Sequence, residues 1–258
     1  MGPSQVEAEV DVDPFDLRPE ADAATGAAAL CLHGLTGTPY EVRPVAEALV
    51  ARGIRAKGIW MAGHNGTVDD LAGTDREAWT ERARDAFHAL RQEHDRVFLV
   101  GCSMGGLVSL RLAATERVDG LVVIGVPIEL APPVPQLLPI LRIFMKARPK
   151  GVTDLQDPEA RAAHPRFPAM PLDSVEELIR LGREVDRDLA KISAPILVAH
   201  GRLDATARPR DATRIFEGVA TPPADKELFL LERSGHVVPV DYDGPALCRA
   251  AADFLSRR

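Results

Sequence analysis

The chain has 258 residues, of which 46% are hydrophobic and 27% charged, and its net charge is −7. This length suits one large domain with an insertion, or two small ones, in a globular protein. An acidic balance without a basic stripe excludes a protein built to neutralise nucleic-acid phosphates, and no uncharged run reaches the length of a membrane span.

An acidic leader opens the chain, with a short strand expected around Val6 to Val12. "AAALCLHG", residues 27–34, is a continuous apolar run stopped by glycine, the pattern of a parallel strand buried on both faces. In "TPYEVRPVAEALVARG", Thr38 and Glu41 have capping-box spacing, with Pro39 at the first helical position. Val42, Val45, Ala46, Leu49 and Val50 then form one helical face, which Gly53 ends. "IRAKGIW" reads as a strand. Thr74 and Glu77 make a second capping box before Trp79, Ala83, Ala86, Phe87 and Leu90, which recur at helical spacing. "RVFLVG" is another buried strand, "GLVSLRLAATE" a helix and "VDGLVVIGVP" a strand. The alternation returns with "APILVAHG", a helix over about 210–217, "KELFLLE" and a last helix from about Pro245 to Ser256. Such alternation predicts an α/β protein with a mostly parallel sheet flanked by helices.

Residues 127–188 break the rhythm. They are rich in proline, begin "PIELAPPVPQLLPILRIFMKARPKG" and hold no obvious buried strand. They predict a small helical cap inserted over one edge of a core made of residues 1–126 and 189–258, because long insertions in compact domains are usually functional. Leu137, Leu138, Ile140, Leu141 and Phe144 are candidates to line a substrate pocket there, with packing inside the cap as their alternative role.

Gly101, Ser103 and Gly105 in "LVGCSMGGLVSL" form G-x-S-x-G directly after a strand and before a helix. A strand turning abruptly into a helix strains the serine backbone and exposes its hydroxyl at the carboxyl edge of the sheet, while flanking glycines let neighbouring backbone pass closely. The Met104 N–H, at the start of the helix, is placed to stabilise an oxyanion. A serine nucleophile needs a base, and the base an orienting acid. His236, in "SGHVVPVDYD" after the last strand, has the best context for the base. Asp204, in the loop after the preceding strand, has it for the acid, with Asp225 and Asp241 as fallbacks. The second oxyanion donor is expected from "LHGLTGTP", at the Leu35 N–H, with His33 holding that loop by hydrogen bonding. His64 and His200 read as structural or packed, and His88, His94 and His164 as ordinary helix-face or loop residues. No His/Cys/Asp spacing predicts a metal site and no phosphate-binding glycine loop follows a strand. Cys31, Cys102 and Cys248 are odd in number and lack ligand spacing. Together with a leader unlike a signal peptide, they predict free thiols in a cytoplasmic protein.

"LCLHGLTGTPYEVRPVAEAL", "GCSMGGLVSLRLA", "PILVAHGRLD" and "SGHVVPVDYD" together resemble α/β-hydrolases, and more narrowly small bacterial carboxylesterases and monoacylglycerol lipases. The resemblance spans nearly the whole chain after the leader and is weakest in the insertion. It implies the α/β-hydrolase fold, a small helical cap, no cofactor and a Ser-His-Asp esterase acting on small-molecule esters. By residue it implies Ser103 as nucleophile, Asp204 as acid, His236 as base, and Leu35 and Met104 as backbone donors. The sequence departs from such enzymes in "DATARPRD", where a valine-proline stretch often follows the acid, and in "GHNGT", where glycine is common in place of asparagine. The same three residues also serve thioesterases, amidases, acyltransferases and carbon–carbon hydrolases, and a non-catalytic ligand-binding protein is the remaining alternative.

Overall fold

A computed structural model describes residues 10–165 and 167–258. The strand expected around Val6 to Val12 lies mostly outside the described residues, and residues 10–12 carry no strand. The first described strand is β1 (Phe15–Leu17), followed by β2 (Ala27–Leu32), α1 (Arg43–Val50) and β3 (Arg55–Gly58). Next come α2 (Val68–Ala72), α3 (Arg76–Glu93), β4 (Arg96–Cys102), α4 (Met104–Ala113) and β5 (Gly120–Ile124). The insertion contributes α5 (Val134–Phe144), β6 (Ala147–Pro149), α6 (Pro158–Ala163), β7 (Ala169–Pro171) and α7 (Leu172–Asp188). The chain closes with β8 (Ile196–Gly201), α8 (Pro209–Gly218), β9 (Lys226–Leu231) and α9 (Gly244–Ser256).

Seven strands form one sheet in the order β1-β3-β2-β4-β5-β8-β9, parallel throughout except for β1 at the edge. Side chains alternate across it. Ala28, Leu30 and Leu32 of β2 join a core with α3, α4, α7 and α8, while Ala27, Ala29 and Cys31 join a second core with α1 and α9. Burial on both faces is why these strands read as unbroken apolar runs. From β2 the chain steps to β3 on one side, then returns across β2 to β4 and continues the other way. The reversal lies between β2 and β4, so the loops leaving their carboxyl ends flank a crevice, where open α/β sheets bind ligands.

Two expected helix starts differ. Thr38 caps only a 3-10 turn (Pro39–Val42), without a side-chain bond, and the Glu41 carboxylate accepts from the Gly34 N–H instead of closing a capping box. At α3 the cap is Asp75, accepting from the Ala78 N–H, while Thr74 Oγ1 accepts from the Trp79 indole N–H. A complete capping box does form at α2, between Thr67 and Asp70. Within the insertion, β6 and β7 pair as an antiparallel ribbon. The inner face of α7 sends Leu178, Leu181 and Val185 into the core shared with the sheet. The insertion therefore runs continuously from the crevice into the core layer.

Candidate active site

Three loops leave the carboxyl edge of the sheet and meet. Ser103 sits between β4 and α4 at φ 53°, ψ −116°, a left-handed conformation that costs a serine about 1–3 kcal/mol and persists only where packing imposes it. The packing is visible at the glycines: a Cβ on Gly105 would run into the Leu32 carbonyl of β2, and one on Gly101 into the Gly105 backbone. Gly105→Ala is therefore expected to destabilise the protein by about 3 kcal/mol, read as a lower denaturant midpoint at unchanged slope.

His236, from the loop after β9, lies with Nε2 2.9 Å from Ser103 Oγ and Nδ1 2.8 Å from Asp204 Oδ2. A carboxylate can only accept, so Nδ1 carries the proton and Nε2 keeps its lone pair for the serine hydroxyl. Asp204, in the loop after β8, also accepts from the Thr206 and Ala207 N–H groups through Oδ1, at 2.8 and 2.7 Å. Burial alone would raise the Asp204 pKa, but His236 and His200 beside it hold the carboxyl well below the usual carboxylate range. Burial pulls the His236 pKa down, and the Asp204 carboxylate outweighs it, so the imidazole stands above its ordinary 6.5. Among Asp204, Asp225 and Asp241, only Asp204 bonds His236. Asp225 pairs with Arg258, and Asp241 accepts from the N–H groups of Gly235, Gln156, Asp157 and Tyr242.

Leu35 and Ser103 line one cavity of about 410 Å³, a size suited to a small organic ligand. Among the described residues neither the Leu35 nor the Met104 N–H donates to a protein acceptor. Thr36, next to Leu35, is left-handed at φ 59° and is pinned by its N–H to His64 Nε2 and by Lys150 Nζ on its hydroxyl. His33 donates from Nδ1 to the Gly34 carbonyl and accepts from the Met61 N–H. Each of these rings offers one accepting nitrogen, so both are neutral. Burial pushes the His33 pKa down and takes that of His64 to about 3. Both histidines thus hold the loop.

The insertion wall differs from expectation. The cavity is lined there by Leu130, Ala131 and Val134, then by Val152, Met170, Val175 and Leu178. Leu137, Ile140, Leu141 and Phe144 are exposed on α5, Phe144 by 80%, and Leu138 is buried in the helix without reaching the cavity. An apolar sequence could not say which face of α5 looks inward, because the helix is apolar nearly all round.

Three side chains that the sequence reading gave only structural or ordinary roles lie beside these groups. Glu41 is a buried carboxylate beside Ser103, bonded to the Gly34 N–H. Burial would raise its pKa, yet His164, 3.4 Å away, and the Gly34 N–H bring it down to about 2. His164 is a buried part of the cavity wall. His200 Nε2 lies 2.9 Å from Asp204 Oδ2 and 3.3 Å from the Ala207 carbonyl. Only Glu41 carried a signal, and its capping-box spacing pointed elsewhere. All three cysteines are free and buried, and burial raises their pKa values, to about 12 for Cys31 and about 11 for Cys248, which leaves them unreactive. Among the described residues no helix is long and apolar enough to cross a membrane.

A parallel sheet with a strained serine after its central strand, and a histidine and an acid after its last two, is the architecture of an α/β-hydrolase. The profile described as "Serine aminopeptidase, S33" (Hydrolase_4) matches residues 23–243, and the chain belongs to that family. It is 27% identical over 236 residues to the thermostable monoacylglycerol lipase of Bacillus sp. (strain H-257), covering 88% of this chain and 90% of that protein. It is 26% identical over 234 residues to a carboxylesterase of Bacillus subtilis (strain 168), covering 89% and 92%. A solved structure among LipS and LipT, two metagenome-derived lipolytic enzymes, superposes with a TM-score of 0.87 over 96% of this chain and 98% of its own, at 24% identity. The monoacylglycerol lipase of Paleococcus ferrophilus does so at 0.79 over 96% and 99%, at 17% identity. At the level of the family, the chain is a serine hydrolase of the esterase and monoacylglycerol lipase type.

Proposed function

We propose that the protein hydrolyses carboxylic esters, short- to medium-chain acyl esters or monoacylglycerols, through an acyl-enzyme on Ser103. The observation that carries this reading is the unbroken chain of hydrogen bonds from Ser103 Oγ to His236 and on to Asp204. Ser103 Oγ attacks the carbonyl carbon while His236 Nε2 takes its proton, and the Leu35 and Met104 N–H groups receive the charge on the carbonyl oxygen. The carbon–oxygen bond to the alcohol then breaks, and the alcohol leaves with the proton from His236. A water molecule repeats the sequence on the acyl-enzyme, returning the acid product and free Ser103. Asp204 stays ionised throughout and stabilises the imidazolium. The segment 127–188 serves as the cap, with Leu130, Ala131, Val134, Val152, Met170, Val175 and Leu178 forming the apolar side of the acyl pocket.

A panel of p-nitrophenyl esters of graded chain length tests the reading, with the matching thioesters and amides beside it. Turnover on esters, with an optimum set by cavity depth, is expected. Turnover on thioesters or amides alone moves the assignment within the class, and no turnover on any substrate sinks it. The base must be neutral to act, and its pKa is raised. The acid limb of kcat/KM against pH is therefore expected to have its midpoint above 6.5, with activity rising through that point towards alkaline pH.

A further inference from the structure

One residue of the insertion, outside every motif, is bonded to two of the three loops that form the site. Asp154 lies between β6 and α6. Its Oδ2 accepts from the Ala205 N–H at 2.8 Å, the Thr206 N–H at 3.0 Å and the Thr206 hydroxyl at 3.0 Å. These are the residues directly after Asp204, and the Thr206 N–H is shared between Asp204 Oδ1 and Asp154 Oδ2. The Asp154 main-chain carbonyl accepts from the His236 N–H at 2.9 Å. A Cβ on Gly235 would lie 2.7 Å from both Asp154 O and Oδ1, so the histidine loop rests against Asp154 only because residue 235 has no side chain.

We propose that Asp154 is a positioning residue, holding the acid loop through its carboxylate and the histidine loop through its carbonyl, so that the His236–Asp204 distance is set from the insertion. The proposal rests on reading Ser103, His236 and Asp204 as the catalytic set. An aspartate that merely shaped its own turn would bond its neighbours, whereas this one reaches 51 and 52 positions along the chain. Asp241 adds to the same clamp by accepting from the Gln156 and Asp157 N–H groups. The insertion therefore cannot lift away as one body without breaking bonds to both loops. The carboxylate also acts on the imidazole. The charges around His236 are Asp204 after β8, Asp154 from the insertion and Glu41 before α1, and each favours the protonated ring.

Asp154→Asn keeps an acceptor oxygen of similar reach but no charge, and Asp154→Ala keeps neither. The titration of the His236 ring, followed by NMR, and the solvent exchange of the Ala205 and Thr206 amides read the effect directly. Turnover per active site, titrated with a fluorophosphonate, reads its consequence. In both variants the His236 midpoint is expected to fall by a few tenths of a pH unit, since a negative charge near the ring is gone. In Asp154→Ala the two amides are expected to exchange about tenfold faster or more, and kcat per site to drop about tenfold with KM nearly unchanged. If Asp154→Ala does not fold, the midpoint in Asp154→Asn decides alone. An unchanged midpoint in the folded variants overturns the proposal, even where the amides exchange faster, because Asp154 would then only brace the surface. The ring and the amides are followed without turnover, so a wild type inert towards esters would sink the esterase reading separately.

Discussion

Ser103→Ala is expected to abolish ester turnover by about a millionfold while leaving the fold and KM nearly intact, a scale typical of losing a serine nucleophile. The fold survives because the change removes one oxygen and keeps the Cβ, so the strained turn holds a side chain no larger at the same φ of 53°. The hydroxyl has one bonded partner, His236 Nε2, and losing it leaves an accepting nitrogen beside a cavity that water can enter. What remains is the slow attack of water, helped by the Leu35 and Met104 N–H groups. Labelling by a fluorophosphonate is expected to vanish with the hydroxyl, and thermal melts of the two proteins should coincide. Turnover above about a hundredth of the wild-type value would remove Ser103 as nucleophile.

Asp204→Asn is expected to cost about ten-thousandfold in kcat, by a different route. The carboxylate accepts from the N–H groups of Thr206 and Ala207 through Oδ1 and from the His236 ring through Oδ2, with His200 Nε2 2.9 Å from the same Oδ2. An amide must turn its NH2 towards one of these pairs. If it faces His236, the ring meets a donor and moves its proton to Nε2, where it can no longer accept from Ser103. The imidazolium also loses its counter-charge, so the acid limb of kcat/KM is expected to move to lower pH as its plateau falls. Stability follows the same pair. The Asp204 pKa is lowered on folding, so its contribution is present above the ordinary 3.8 and is lost as pH falls through the folded value. That of His236 is raised, so its contribution is present below 6.5 and is lost as pH rises through the folded value. The melting-temperature gap between wild type and Asp204→Asn is thus expected to be widest between 3.8 and 6.5. A gap independent of pH would mean that the carboxylate and the ring are not coupled.

The central elements were readable because their causes are local. The runs 27–32, 96–102, 120–124 and 196–201 are apolar at every position that both cores require, and the glycines of G-x-S-x-G mark where backbone meets backbone. Ser103, Asp204 and His236 each follow an apolar strand run in the chain, so their place at one edge of the sheet is legible from the order alone. Other features were hidden because their partners are remote. Thr38 and Glu41 have the spacing of a cap, but the Glu41 carboxylate bonds the Gly34 N–H, a partner outside that turn. Thr74 and Glu77 have it too, and the cap moved one residue to Asp75 because the Thr74 hydroxyl serves Trp79. The five α5 residues expected at the pocket lie outside its lining, because a helix apolar on most sides carries little mark of its inner face.

By itself, the sequence determined the alternating α/β order, the sharp bend at Ser103 and the residue types that meet there, since hydrophobic periodicity and glycine sterics act between near neighbours. Only the tertiary structure decided that Asp204, and neither Asp225 nor Asp241, meets the imidazole. It alone brought Glu41, His164, His200 and Asp154 beside those groups, and it alone chose which side of the insertion lines the cavity. A carboxylate or an imidazole settles where donors and acceptors converge, and here those groups lie tens of residues apart along the chain.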